Sequence, residues 1–148
     1  SCSIKNCPAG LGEPFFDSLE SGIAHIVFSI PAIKGISFGN GFAAAKLRGS
    51  QNNDCFRNEK GETFTSHAGG INGGVSNGNE IYFEVAVKPT PSIHAGQETW
   101  DFEENRLETL QINGRHDACI ALRVPVILEA AAAVLIADML LIRKSQQI

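Results

Sequence analysis

Charge is scarce in this chain: Asp, Glu, Lys and Arg make up 19% of its 148 residues, against a usual ~25%. A low charge density with 43% hydrophobic residues excludes a disordered polypeptide, because enough apolar surface exists to offset the entropy of folding. It also leaves more surface than usual available for burial against something else. Positive charge is scarcer than negative, giving a formal net charge of −4. No basic field is therefore available to neutralise phosphates, and nucleic acid is excluded as a natural partner.

Cysteine is sparse and scattered, at Cys2, Cys7, Cys55 and Cys119, with no secretory hydrophobic region ahead of it. That excludes a disulfide scaffold and points to a reduced cytoplasmic protein. Cys2 and Cys7 stand wider apart than Cys-x-x-Cys and no second pair follows, so no metal is expected. Methionine occurs once, at Met139, and the chain opens on Ser1, which reads as part of a longer or processed chain. The one long apolar run, Pro125 to Ile142, is broken by Glu129 and Asp138. At ~100° per residue these acids fall on opposite faces, where each costs ~2.5 kcal/mol or more near a bilayer centre. A helix buried in protein on nearly all sides is expected in place of a membrane span.

The apolar residues that are present have clear periods. Phe15, Leu19, Ile23, Ile26 and Ile30 recur at helical spacing, predicting an amphipathic helix from Phe15 to about Ile30, opened by Pro14 and stopped by Pro31. Ile33 to Phe42 alternates apolar residues with glycine and serine, a strand pattern, and a polar loop from about Gly49 to Ser66 follows. Ile81, Phe83, Val85 and Val87 share one face of a half-buried strand. Pro89 and Pro91 end it. Gln97 to Glu108 reads as a solvated excursion, and a long helix from about Pro125 to Lys144 closes the chain. Without regular strand–helix alternation, this is an α+β order.

Four segments could carry chemistry. Five of the ten residues between Gly69 and Gly78 are glycine, which predicts neither packed helix nor packed strand. Such a loop lets a planar or phosphorylated ligand approach the main chain, or is a plain flexible turn. Within it, Gly74-Val75-Ser76-Asn77-Gly78 matches the Gly-x-Ser-x-Gly elbow, with Asp101 and His116 following in hydrolase order. The elbow requires a strand before the serine and a helix after it, whereas here a strand follows. Lys88-Pro89-Thr90-Pro91-Ser92 sets a cation and two hydroxyls on a stretch stiffened by proline, which suits an anion or cofactor rim and equally a capped strand end. Arg115-His116-Asp117 combines a guanidinium that can hold phosphate with a carboxylate that can handle a proton. The alternative is a local ion pair.

The ordered run of motifs resembles the C-terminal half of the chorismate synthase family. It comprises Pro8-Ala9-Gly10-Leu11-Gly12-Glu13-Pro14, Ser29 to Gly35, Gly39-Asn40-Gly41-Phe42, Gly49-Ser50 with Asn53-Asp54, Ala68 to Gly78, Lys88 to Ile93 and Gly114 to Asp117. The resemblance implies a β-α-β sandwich of antiparallel sheets enclosing helices, a homotetramer, and an N-terminal half absent from residues 1–148. It further implies trans-1,4-elimination of phosphate from 5-enolpyruvylshikimate 3-phosphate to give chorismate. The implied cofactor is reduced FMN, with NADPH a candidate source of its electrons. Position by position, Pro31 (where many members have asparagine) and Ala32 resemble the backbone against the flavin. Gly73 resembles the glycine that the flavin approaches, and Lys88, Pro89, Thr90, Pro91 and Ser92 the cofactor-contacting segment. Arg115 is similar to the arginine at flavin and substrate, and Asp117 to the acid near flavin N5 that assists proton handling. Ser66 and Ala118 depart from the family's usual asparagine and proline. The family's catalytic histidines belong to the absent half, so His25, His67, His94 and His116 take none of those roles. Alone, these 148 residues are expected to be a catalytically silent structural half.

Overall fold

The computed structural model describes residues 1–117 and 119–146. It divides into two compact units, one formed by Ser1–Lys88 with the chain from Arg123 onward, the other by Pro89–Leu122.

The first unit is built around one strand. Ile81–Val87 (β5) is the centre of an antiparallel sheet, flanked by Cys2–Ile4 (β1) on one side and Ile33–Phe38 (β2) on the other. The period-two pattern predicted for β5 is the observed one: Ile81 and Phe83 are fully buried, Val85 and Val87 half-buried, and Glu84 and Ala86 exposed between them. Register carries that face across the sheet, since Cys2 and Phe38 both stand opposite Phe83 and Ile4 opposite Ile81. The Phe38 and Phe83 rings meet at 5.9 Å. A bulge between Ile33 and Gly35 interrupts the β2 ladder at Lys34.

Two helices cover this face. Leu19–Phe28 (α1) buries Leu19, Ile23 and Val27, and Val124–Ser145 (α3) buries Val124, Leu128, Ala131 and Ala132. The predicted start of α1 at Phe15 is four residues early. Pro14 and Ser18 are extended, Phe15 takes φ +67°, and Phe15–Asp17 form only a 3₁₀ turn. The Ser18 hydroxyl accepts from the Ser21 N–H at 3.1 Å, so the helix is capped at Ser18 and the apolar spacing of Phe15 is not used. Phe15 and Phe16 are left at 87% and 92% exposure. The strand predicted to Phe42 stops at Phe38 and gives way to a 3₁₀ segment, Gly41–Lys46, and the predicted polar loop opens on a short helix, Gly49–Asn52 (α2).

The expected burial of the last helix on nearly all sides is not observed within this chain. Val126, Val134 and Leu141 on α3 are 67%, 61% and 66% exposed, because α1 and the sheet occupy only one side of it. The stretch Ile120–Ser145 is long and apolar enough to cross a membrane by length and composition.

Two further corrections concern loops. Ile71–Asn72 (β3) and Val75–Ser76 (β4) form a small antiparallel hairpin within the glycine-rich stretch. Gly73 and Gly74 at its tip take φ +60° and +90°, the two positive values that a tight two-residue hairpin turn demands. In the second unit the predicted solvated excursion is exposed and takes the form of a hairpin, Gln97–Asp101 (β6) pairing with Arg106–Leu110 (β7). Asn105 at φ +50° and the Asp101 carboxylate, accepting the Glu103 and Glu104 N–H groups at 2.8 and 3.1 Å, supply the turn that the acidic composition conceals.

Candidate functional site

The turn from α1 into β2 carries Pro31 and Ala32. Pro31 cannot continue the helix, and Ala32 reverses the chain at φ +75°, an uncommon conformation for a residue with a Cβ. The Ala32 carbonyl accepts the Lys88 N–H at 2.9 Å, one residue beyond the end of β5. That bond draws together two of the segments singled out in the sequence, Pro31–Ala32 and Lys88. The Lys88 side chain is exposed.

Gly73 stands at the hairpin tip with nothing within 4 Å of where its Cβ would lie, so the main chain there is open to approach. The rest of the hairpin is fixed. Gly74 is buried, and its carbonyl accepts the Leu19 N–H at 2.8 Å, tying the hairpin to the start of α1. In the second unit Thr90 Oγ1 is buried with no hydrogen-bond partner among the described residues. A buried hydroxyl without a partner is costly unless a ligand completes it. Within the first unit, the open main chain at Gly73 and the exposed Lys88 are each features that a planar, phosphate-bearing cofactor can use. Arg115, His116 and Asp117 are exposed in the loop after β7, and His116 packs against His94 at 6.1 Å between ring centroids. Ala118 lies outside the described residues.

The serine of the Gly-x-Ser-x-Gly match is not a nucleophile. Ser76 is 2% exposed; its hydroxyl donates to the Pro8 carbonyl at 2.6 Å and accepts the Leu11 N–H at 2.9 Å. Asp101 is occupied by the β6–β7 turn, where the Glu104 and Glu103 N–H groups hold its carboxyl below the usual range. Ser76→Ala is expected to cost about 1–3 kcal/mol, the penalty for leaving a buried donor unsatisfied, in a denaturation midpoint. The unaltered protein should take up no fluorophosphonate.

Cys2 and Cys7 are buried, and Cys55 and Cys119 exposed. Burial pushes both Cys2 and Cys7 up, with the Glu129 carboxylate adding to the effect at Cys2, which disfavours the thiolates that a zinc site needs. All four cysteines are free, and no group of three or more metal-ligating side chains occurs among the described residues.

Sequence reasoning named Asp54 only as part of a motif. Its side chain is 7% exposed, and it accepts from the Thr65 hydroxyl at 2.6 Å, the His67 N–H at 2.8 Å and the Ala68 N–H at 2.9 Å. Burial opposes its charge, but the Ala68 N–H, the Thr65 hydroxyl and the His67 N–H outweigh it and hold the carboxyl below the usual range. The available signal was Asp54 ahead of Thr65, Ser66 and His67, which stand just before Ala68 and the glycines.

A cavity of about 740 Å³ lies elsewhere, between α1 and α3 beside the Gly10–Asp17 loop. His25, Asp138 and Arg143 line it, and none of the residues singled out for cofactor or catalysis does.

Comparisons with known proteins agree in one family. The family model described as chorismate synthase matches residues 1–141. A chorismate synthase from Chitinophaga pinensis is 55% identical over 143 residues, which are 97% of this chain and 43% of that protein. One from Archaeoglobus fulgidus is 46% identical over 141 residues, 94% of this chain and 39% of that protein. A crystal structure of chorismate synthase superposes with a TM-score of 0.73 at 29% identity, covering 95% of this chain and 36% of that one. The chain thus spans about two fifths of the length of these relatives.

Proposed function

The chain belongs to the chorismate synthase family, and we propose that the intact protein converts 5-enolpyruvylshikimate 3-phosphate to chorismate by trans-1,4-elimination of phosphate. It uses reduced FMN in the cytoplasm, with NADPH the candidate source of electrons, and works as a homotetramer. The observation that carries this reading is the bond from the Lys88 N–H to the Ala32 carbonyl at 2.9 Å, because it joins two segments that the family resemblance gives to the flavin.

When bound, reduced flavin supplies electron density to the substrate as phosphate leaves. The chain's own residues bind and orient. The Pro31–Ala32 main chain, the Gly73 main chain and Lys88 would hold the cofactor from the first unit, and Pro89, Thr90, Pro91 and Ser92 would contact it from the second, with the Thr90 hydroxyl as a donor. Arg115 presents a planar fork of donors to phosphate, which fixes orientation and offsets charge as the leaving group departs. Asp117 holds or releases a proton at its carboxylate oxygen.

The bare face of α3 and the cavity beside it are covered, in this reading, by the remainder of the protein and by neighbouring subunits. The 148-residue chain alone is then catalytically silent. Phosphate release from 5-enolpyruvylshikimate 3-phosphate, followed with reduced FMN, tests both statements. The intact protein should turn over and the isolated chain should not. An inactive intact protein removes the activity, and an active isolated chain removes the claim that the rest is needed.

A further inference from the structure

At the far end of β2 and β5, three stretches of backbone cross within hydrogen-bonding distance. The Gly39 N–H donates to the Tyr82 carbonyl and the Tyr82 N–H to the Gly69 carbonyl, each at 3.1 Å; the Asn40 N–H donates to the His67 carbonyl at 2.8 Å. A Cβ on Gly39 would lie 2.1 Å from the His67 oxygen and 2.5 Å from the Gly69 nitrogen, so main chain lies directly on main chain. A charged side chain, Asp54, accepts from the main chain of this crossing.

Asp54 grips the segment in a way a neutral side chain does not match. Consecutive N–H groups of His67 and Ala68 point at its two oxygens, and the Thr65 hydroxyl adds a third bond. A carboxylate is an acceptor at both oxygens, and its bonds to N–H are charge-assisted, whereas asparagine offers one oxygen and turns an NH₂ toward an N–H. The His67 ring also faces it, with Nδ1 3.7 Å from Asp54 Oδ1. Directly after the gripped segment come Gly69 and Gly70, and the Gly70 carbonyl accepts the Asn77 N–H at 3.0 Å to close the base of the hairpin that carries Gly73. The hairpin is therefore anchored twice. The Gly74 and Ser76 bonds hold it to the residue 8–19 region, and Asp54 sets where it leaves the sheet.

We propose that Asp54 is a positioning residue for cofactor binding: by clasping residues 65–68 it fixes the entry of the glycine hairpin and so the place of the open main chain at Gly73. This rests on the flavin reading given above. It assigns Asp54 no contact with the cofactor and no proton in the reaction.

The test compares Asp54→Ala with Val27→Ala in the intact protein. Val27 is fully buried in α1 and is not one of the residues that Asp54 bonds, so its variant reports the effect of lost stability. FMN affinity is measured by fluorescence titration at a temperature where far-ultraviolet circular dichroism finds both variants folded. Asp54→Ala is expected to weaken FMN binding by about tenfold or more, Asp54→Asn by less, and Val27→Ala hardly at all. Amide hydrogen exchange at Gly69 to Gly74 should quicken in Asp54→Ala and not in Val27→Ala. Unchanged FMN affinity in Asp54→Ala, or a loss equal to that in Val27→Ala, overturns the proposal. If the unaltered protein binds no FMN, the flavin reading falls by itself; hydrogen exchange then decides whether Asp54 positions the hairpin, and unchanged exchange overturns that as well.

Discussion

Asp117→Ala in the intact protein is expected to lower turnover by ~10²-fold or more, the usual scale for a positioned proton-transfer group, while FMN affinity changes little. Asp117 and Arg115 sit two residues apart in an exposed loop. In the proposed function the guanidinium bears on the phosphate and the carboxylate on a proton, and only the latter is lost in the alanine variant. Lys88→Ala should show the opposite division. The Lys88 main chain is fixed to Ala32 and survives the substitution, but the exposed ammonium does not, so FMN binding weakens while turnover at saturating FMN stays near that of the unaltered protein. Steady-state phosphate release and FMN titration on both variants separate the roles. Loss of FMN affinity in Asp117→Ala with unchanged turnover would show them to be exchanged.

Gly69→Ala should be among the most damaging single substitutions in the chain. Gly69 has φ +67°, and its added Cβ would stand 2.4 Å from the Gly39 nitrogen and 2.8 Å from the Tyr82 oxygen. Both neighbours are main chain, so no side chain can swing away. The left-handed conformation alone costs roughly 1–2 kcal/mol, and opening the crossing breaks backbone bonds in a buried place, for a combined loss of about 4 kcal/mol. Gly61→Ala is the matched control. Gly61 has φ +78° but nothing within 4 Å of its Cβ position, so only the conformational cost of roughly 1–2 kcal/mol remains. Denaturant unfolding of the two variants should differ by about the clash contribution. Equal losses would show that the crossing yields easily.

Legibility in the sequence followed the distance over which each feature is encoded. The face of β5 reads directly from Ile81, Phe83, Val85 and Val87, because alternation is local and the strand is central, with sheet on both sides. The start of α1 did not read correctly, because Phe15 is in phase with Leu19 and Ile23 yet Ser18 takes the cap, and a period carries no information about capping. The glycine hairpin was misread for a related reason. Glycine content argues against packed strands, whereas the turn at Gly73-Gly74 needs two positive φ values and is stabilised by bonds from residues more than fifty positions away. Ser76 matched the letters of a nucleophile motif in the wrong strand and helix context, and the part that did not read from sequence is the buried staple it forms with Pro8 and Leu11. Asp54 was least visible, since its partners lie 11–14 positions onward and nothing local marks a carboxylate as a clasp. The burial of α3 was over-read because composition reports how apolar a helix is and not whether its covering surface belongs to the same chain.

The bulge at Lys34 has a consequence for crowding. β2 is an edge strand, and a regular edge would offer a neighbouring molecule a template on which to extend the sheet. At Lys34 the ladder slips and a charged side chain stands at the break, two devices that spoil such templating. Stacking of strands from molecule to molecule is thereby discouraged along that side, even at high concentration. On α3, by contrast, the exposed Val126, Val134 and Leu141 offer a surface where association buries side chains and extends no strand.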